Sequence, residues 1–290
     1  MTKVIKMTES EINTFVKTYK AFETMPTNEY ISHFFQGDGF SVSIYKSGKV
    51  VFQGSKLDYF KEYVKEDNNE SDGNYPYNHM DTIGSDEVGT GDLFGPIVVA
   101  TCLVKGKDTN ELLKLGVKDS KKITDKEIIK IGKVLVKKLK HKVIILRNEQ
   151  YNNNTSIHNI NELKAGLHNS NIRDLAKEVK YDVVCLDDFC GKTNYFKYLN
   201  NISSIKPQEI FKDISFETKG ETKSIAVAAA SIIARCYFLI EMENLEKLYG
   251  YKLPKGAGKE TDELLKQIKK DGKEDILYHI TKLNFKNLKK

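Results

Sequence analysis

Apolar residues change their spacing along this chain, and each change marks an element. Ile12, Phe15, Val16 and Tyr19 recur at helical spacing behind Thr8-Glu9-Ser10-Glu11, a capping-box pattern that predicts a helix starting there. From Phe40 the period drops to two. Phe40-Ser41-Val42-Ser43-Ile44-Tyr45 alternates, Lys46-Ser47-Gly48-Lys49 turns the chain, and the run to Gln53 alternates again, which predicts a hairpin. Residues 30–35 have strand composition, and a second helix is predicted over 56–65. The stretch from Asp67 to Pro76 is polar, carries turn residues and has almost nothing to bury, so it reads as a linker. The expected organisation is an N-terminal domain over 1–66, a linker over 67–77 and a larger domain over 78–290.

Beyond the linker, strands are predicted at 81–86, 97–104, 141–146 and 181–186, and helices at 125–139, 161–180, 224–248 and about 261–270. The first two strands follow one another closely enough to pair as a hairpin, whereas the later ones alternate with helices. That order predicts an α/β fold with a mixed sheet and helices on both faces, not an all-parallel sheet. The upstream piece reads as a small α/β module of its own.

Composition adds limits. The 290 residues are 40% hydrophobic and 30% charged, with no Trp, as expected of a soluble globular chain with a sizeable core. No run approaches the roughly 18 apolar residues of a membrane span, and the N-terminus lacks the apolar core of a secretory signal. Cys102, Cys185, Cys190 and Cys236 lie on or near apolar segments without a CxxC pair. Buried free thiols in a reducing cytoplasm are expected, and a zinc site is not. The net charge of +6 suits a polyanionic partner but moves the reading only slightly towards nucleic acid.

Candidate chemistry begins where the first strand of the larger domain ends. Asp86 and Glu87 follow an apolar approach and run into Val88-Gly89-Thr90-Gly91-Asp92-Leu93-Phe94-Gly95. Adjacent acids repel and glycines cost backbone entropy, so the arrangement gains a fold little stability. A second pair, Asp187-Asp188, ends the run Val183-Val184-Cys185-Leu186. Strands that both end in carboxylates can bring them to one sheet edge, where hard oxygen donors suit Mg²⁺ or Mn²⁺. Taken singly, each pair is equally well a solvated strand end. Glu221 precedes the apolar, alanine-rich helix beginning near Ser224; alone it is a cap-region acid, beside the other pairs a fourth carboxylate. The glycine loop misses the dinucleotide-binding spacing and carries no Gly-Lys-Ser/Thr, so it is neither familiar phosphate loop. Lys118-Asp119-Ser120-Lys121-Lys122 reads by itself as a solvated helix start capped by Thr124, with phosphate binding the alternative.

Together these segments resemble the type 2 ribonuclease H family, and within it the ribonuclease HIII branch. The resemblance rests on Gly84-Ser85-Asp86-Glu87-Val88-Gly89-Thr90-Gly91-Asp92, Asp119-Ser120-Lys121, Asn161-Glu162-Leu163-Lys164-Ala165-Gly166-Leu167-His168-Asn169, Leu186-Asp187-Asp188-Phe189 and Ala230-Ser231-Ile232-Ile233-Ala234-Arg235, in the family's order. The upstream module, with Ser43-Ile44-Tyr45-Lys46-Ser47-Gly48-Lys49, is similar to the TATA-binding-protein-like domain of that branch. The resemblance implies a ribonuclease H-like fold and metal-assisted hydrolysis of the RNA strand of RNA–DNA hybrids, leaving 5′-phosphate and 3′-hydroxyl ends. By position, Asp86, Glu87, Asp187 and Glu221 match the catalytic, metal-binding acids, with Glu221 standing where ribonuclease HII has Asp. Gly89, Thr90 and Gly91 stand where ribonuclease HII has Gly-Arg-Gly, which reads ribose 2′-hydroxyls; Ser120 and Lys121 fall in the substrate-binding set. The region from Tyr249 to Pro254 does not match the tyrosine motif of ribonuclease HII. The expected protein is a cytoplasmic, monomeric enzyme acting on hybrid nucleic acid without a membrane. A DNA endonuclease of the same fold would instead cut an all-DNA duplex, and a non-catalytic binder would give no Mg²⁺-dependent product.

Overall fold

The structure, a computed structural model, describes residues 2–26, 30–54, 56–60, 63, 75–118 and 120–289. Most of the expected linker (67–74), much of the second predicted helix and Asp119 lie outside the described residues. The chain divides into two compact units, Met1–Gly73 and Asn74–Lys290.

In the first unit, strands β1 (Thr2–Lys6), β2 (Glu23–Thr24), β3 (Ile31–Gly37), β4 (Phe40–Tyr45) and β5 (Lys49–Gly54) form an antiparallel sheet in the order β1-β5-β4-β3-β2. Helix α1 (Glu9–Thr18) starts at Thr8, whose capping box with Glu11 is present as expected. The alternation of β4 buries Phe40, Val42 and Ile44 and leaves Ser41, Ser43 and Tyr45 on the other face. Phe15 drops from α1 onto Phe35 and Phe52, with ring centroids 5.3 and 5.9 Å away. Two strands escaped the sequence reading: β1, a polar-rich N-terminal edge, and β2, only two residues long. The predicted helix over 56–65 is, where described, a 3₁₀ segment at Leu57–Phe60 that seals the core with Leu57 and Phe60.

The second unit has a mixed sheet of β6 (Thr82–Val88), β7 (Ile97–Val104), β8 (His141–Leu146), β9 (Val183–Asp187) and β10 (Ser215–Glu217), in the order β10-β9-β6-β7-β8. β6, β7 and β8 pair antiparallel, whereas β9 lies parallel to both β6 and β10. The helices are α2 (Thr109–Lys114), α3 (Asp125–Lys138), α4 (Asn148–Asn154), α5 (Ile160–Ala176), α6 (Lys192–Asn201), α7 (Ile225–Tyr249), α8 (Lys259–Lys270) and α9 (Leu277–Ile280). Period two divides the strands between two cores. Val98, Ala100 and Cys102 pack with α7 and α3, while Ile83, Val184 and Leu186 pack with α5 and α6. Tyr77, expected in the linker, belongs to this unit: its hydroxyl lies 2.5 Å from Glu217 Oε1 and 3.1 Å from Ser215 Oγ.

Helix α7 corrects one expectation. By length and composition it is apolar enough to cross a bilayer, with a mean hydropathy of 1.8 over its best window. That window is 72% buried inside the protein, so the apolarity is that of a core helix lying on the sheet. Ala226 to Ala230 let it approach closely, and Gly84 on β6 completes the fit. A Cβ at Gly84 would fall 2.1 Å from the Ala226 carbonyl carbon. This contact fixes α7, and the segment entering it, against the strand that ends in Asp86.

Candidate active site

Parallel pairing brings the strand-end acids together. β6 and β9 are in register from Thr82↔Val183 to Ser85↔Leu186, so the next residue of each, Asp86 and Asp187, reaches the same level at the same end of the sheet. Both project to the α7 face, as do Gly84 and Cys185 two residues before them. Glu221 joins them from the 3₁₀ turn Gly220–Thr222, directly before Ser224 caps α7. Its approach is shaped by Lys219 in a left-handed conformation (φ 55°) and by Gly220 N–H, which donates to Asp187 Oδ1 at 2.7 Å. Glu87 projects to the opposite, α5 face. There Lys164 Nζ donates to Oε1 at 2.8 Å and His168 Nε2 lies 3.0 Å from Oε2.

The four acids line one cleft of about 490 Å³, together with Gly89, Thr90, Ser120, Lys121, Ser231 and Arg235. A larger hollow of about 650 Å³ shares Lys255 with this cleft but holds none of the four acids. The surroundings drive the carboxyls apart. Burial raises Asp86 well above the ordinary carboxylate range, and the charges of Glu87 and Asp187 raise it further against a hydrogen bond from Ser231. Asp187 is raised by burial and by the charges of Glu221 and Glu87, with the Gly220 N–H opposing. Burial would raise Glu87 too, but His168 and Lys164 outweigh it and bring that carboxyl down to about 2. Clustered acids such as Asp86 and Asp187, whose carboxyls are raised by burial and by one another, are in want of a cation.

An all-carboxylate donor set of this kind fits a hard divalent ion. Among the described residues, no three acid, histidine or cysteine side chains already stand in ligating geometry. The partners explain why: both oxygens of Glu87 are engaged by α5, and Asp187 Oδ1 by a backbone donor.

The glycine loop passes the mouth of the cleft. Gly89 has φ 97°, and a Cβ there would fall 2.2 Å from the Pro96 carbonyl oxygen, so the turn admits only glycine. Gly91 is different: a Cβ would meet nothing within 4 Å, so nothing inside the protein demands glycine there, and Gly91 itself is not part of the cleft lining. Thr90 Oγ1 is buried with no hydrogen-bond partner among the described residues.

Ser120 departs from the solvated helix start expected for this segment, of which Asp119 lies outside the described residues. Thr124 does cap α3, with Glu127 completing a capping box. Ser120, however, is buried, 2.8 Å from Ser231 Oγ, and Lys121 Nζ lies 3.5 Å from Glu221 Oε1. Arg235 holds this corner, donating to the Ser120 carbonyl and to Asp125. Asp188 does not join the cleft; its Oδ1 accepts from Cys190 and Gly191 N–H and shapes the turn into α6. Lys164, His168, Ser231, Arg235 and Lys255 went unassigned in the sequence. Lys164, His168, Ser231 and Arg235 lie in segments that carry the resemblance, and Lys164 and His168 are also two polar residues one turn apart on the buried face of α5.

A family model described as Ribonuclease HII matches residues 83–288, and a domain of unknown function matches 2–73. A curated Ribonuclease HIII from Streptococcus gordonii is 36% identical, covering 97% of this chain and 95% of the relative. Another, from Bacillus licheniformis, is 40% identical, covering 87% and 85%. Among solved structures, Bst-RNase HIII in complex with Mn²⁺ aligns with a TM-score of 0.68 and 32% identity over 100% of this chain and 97% of that one. Ribonuclease H2 of Pyrococcus horikoshii shares the fold over 72% of this chain and 96% of its own, with a TM-score of 0.59 at 24% identity.

Proposed function

The chain belongs to the ribonuclease HII family, alongside its ribonuclease HIII members, and from that premise we propose how its residues carry out the reaction. The enzyme is an endoribonuclease that hydrolyses the RNA strand of RNA–DNA hybrids with metal-ion catalysis. In our reading Asp86, Asp187 and Glu221 on the α7 face, with Glu87 from the α5 face, hold the divalent cation, Mg²⁺ or Mn²⁺. The observation that carries this is the parallel register of β6 and β9, which leaves two strand-end aspartates side by side next to the turn bearing Glu221.

A divalent cation held there supplies an activated attacking water and stabilises charge developing on the scissile phosphate. The chain's own residues do the rest. Burial and the neighbouring acids raise the Asp86 carboxyl, so holding a cation there would require its deprotonation and would be favoured at higher pH. Ser120 and Lys121, at the edge of the cleft, hold a phosphate of the cleaved strand. Gly89, Thr90 and Gly91 approach the ribose; the open space at Gly91 and the unpartnered Thr90 hydroxyl support that role. Hydrolysis leaves a 5′-phosphate and a 3′-hydroxyl. The first unit adds a binding surface, and the four free cysteines suit the cytoplasm.

The test is cleavage of a labelled hybrid by Asp86→Asn and Asp187→Asn proteins, in Mg²⁺ and in Mn²⁺, with folding checked by circular dichroism. Loss of several kcal/mol of transition-state stabilisation predicts rates at least about 100-fold lower. Rates near wild type would remove the metal assignment. An all-DNA duplex in the same assay should remain uncut.

A further inference from the structure

Behind the glycine loop lies a lysine that the reaction does not touch. Lys282 follows α9 and its side chain is fully buried. Its Nζ donates to two carbonyls of the loop's return leg, Asp92 O at 2.8 Å and Gly95 O at 2.5 Å. The main chain around it continues the attachment. Lys282 N–H donates to Leu93 O, Gly95 N–H donates to Ile280 O, and Phe94 bridges Thr281. Asn148 Nδ2 at the start of α4 adds a second side-chain hydrogen bond on Gly95 O, 3.0 Å long. A second strap comes from the segment before α8: Leu93 N–H donates to Gly256 O and Gly256 N–H to Asp92 Oδ1. The outward leg, Gly89 to Gly91, has far less support. Asp92 N–H closes onto Gly89 O at 3.3 Å, and Gly91 touches nothing that a Cβ would meet.

A buried ammonium is an expensive way to fill space, since a methionine would occupy it without desolvating a charge. What lysine supplies and methionine cannot is a set of directed donors to carbonyls in an irregular turn. We infer that Lys282 is a positioning residue for the Gly89–Gly91 loop: it fixes the loop from behind and thereby sets how strongly the enzyme requires ribose at the cut. The inference rests on the reading that this loop approaches the ribose. Burial also draws the Lys282 ammonium down to about 7, so the group sits where its surroundings tax the charge and its hydrogen bonds must repay it.

The experiment compares wild type, Lys282→Met and Asn148→Ala on a uniform RNA–DNA hybrid and on the same hybrid carrying single 2′-deoxy substitutions scanned across the main cut. kcat and KM are measured separately, well below each protein's melting temperature. Because a misplaced reading loop loses transition-state alignment, Lys282→Met should lower kcat on the uniform hybrid by about tenfold or more with little change in KM. The rate penalty for the critical 2′-deoxy substitution should shrink by a similar factor. Asn148→Ala, which removes one donor and leaves Lys282 in place, should act in the same direction by about threefold. A folded Lys282→Met enzyme whose 2′-deoxy penalty stays within about twofold of wild type overturns the role of Lys282 while leaving ribose reading intact. If Lys282→Met does not fold, an unchanged penalty in Asn148→Ala overturns it. A wild-type enzyme indifferent to every single substitution removes the ribose-reading role itself.

Discussion

One peptide bond separates Asp86 from Glu87, yet strand geometry sends their side chains to opposite faces and into different chemistry. Lys164 and His168 outweigh burial and lower the Glu87 carboxyl, whereas burial, reinforced by the neighbouring acids, raises that of Asp86. A carboxyl whose pKa is raised on folding binds more protons in the native than in the unfolded state, so its contribution to stability is lost as pH rises. For the metal-free enzyme, stability should therefore fall from the ordinary aspartate value of 3.8 upward through the elevated value of Asp86. Asp86→Asn should flatten that fall and, at pH 8 in EDTA, leave the protein more stable by about 0.5–2 kcal/mol although inactive, as expected where a site is strained for function. Urea titrations of both proteins across pH 4–9 decide the matter. A metal-free wild type whose stability rises across that range would refute the assignment. The acids themselves were legible in the sequence because charge at the end of a β-branched run has no packing reason. Their partners were not: nothing along the chain says that Lys164 lies opposite Glu87, since residues 77 positions apart meet only once α5 packs on β6.

Elements were legible in proportion to their length and periodicity. The capping boxes at Thr8 and Thr124 and the alternating hairpin of β4 and β5 are local signals, set by residues within a few positions of one another. β10 spans three residues and exists because β9 offers it an edge, and α6 carries its aromatics on a stretch rich in Asn and Lys; neither announces itself before packing. Gly84 belongs to this scale. In the sequence it is one glycine in a motif, whereas in the fold it is where α7 seats on β6. Gly84→Ala places a Cβ 2.1 Å from backbone, where no side-chain rotation relieves the clash. The helix must back away, and Glu221 moves with it. Overpacking of this kind costs about 1–3 kcal/mol or more. The expected outcome is a lower urea midpoint together with weakened divalent-ion binding by calorimetry. An alanine protein with wild-type stability and wild-type affinity would show that the contact does not position Glu221.

Across the whole molecule, charge is divided unequally between the units. Residues 1–73 hold nine lysines against eleven acids, a net of −2, so the remaining residues carry +8 of the total +6. The first unit is thus a poor electrostatic collector of phosphate. Its sheet face turned from α1 presents Phe34, Gln36, Ser41, Ser43, Val51 and Gln53, apolar and uncharged polar groups suited to short-range contact, with Lys6 and Lys49 as its charged end. The salt-dependent part of hybrid binding, which follows the number of phosphates neutralised, should therefore belong to the second unit. A protein starting at Asn74 keeps every residue of its own cores and should fold. If the first unit binds hybrid as proposed, its removal should weaken affinity by about tenfold while the slope of log K against log salt changes by less than about one. Fluorescence anisotropy between 50 and 300 mM KCl, in Ca²⁺ to prevent cutting, measures both quantities. Unchanged affinity would deny the first unit a role in binding. A loss of affinity accompanied by a collapsed salt slope would instead place the phosphate contacts on the lysines of the first unit, despite its negative balance.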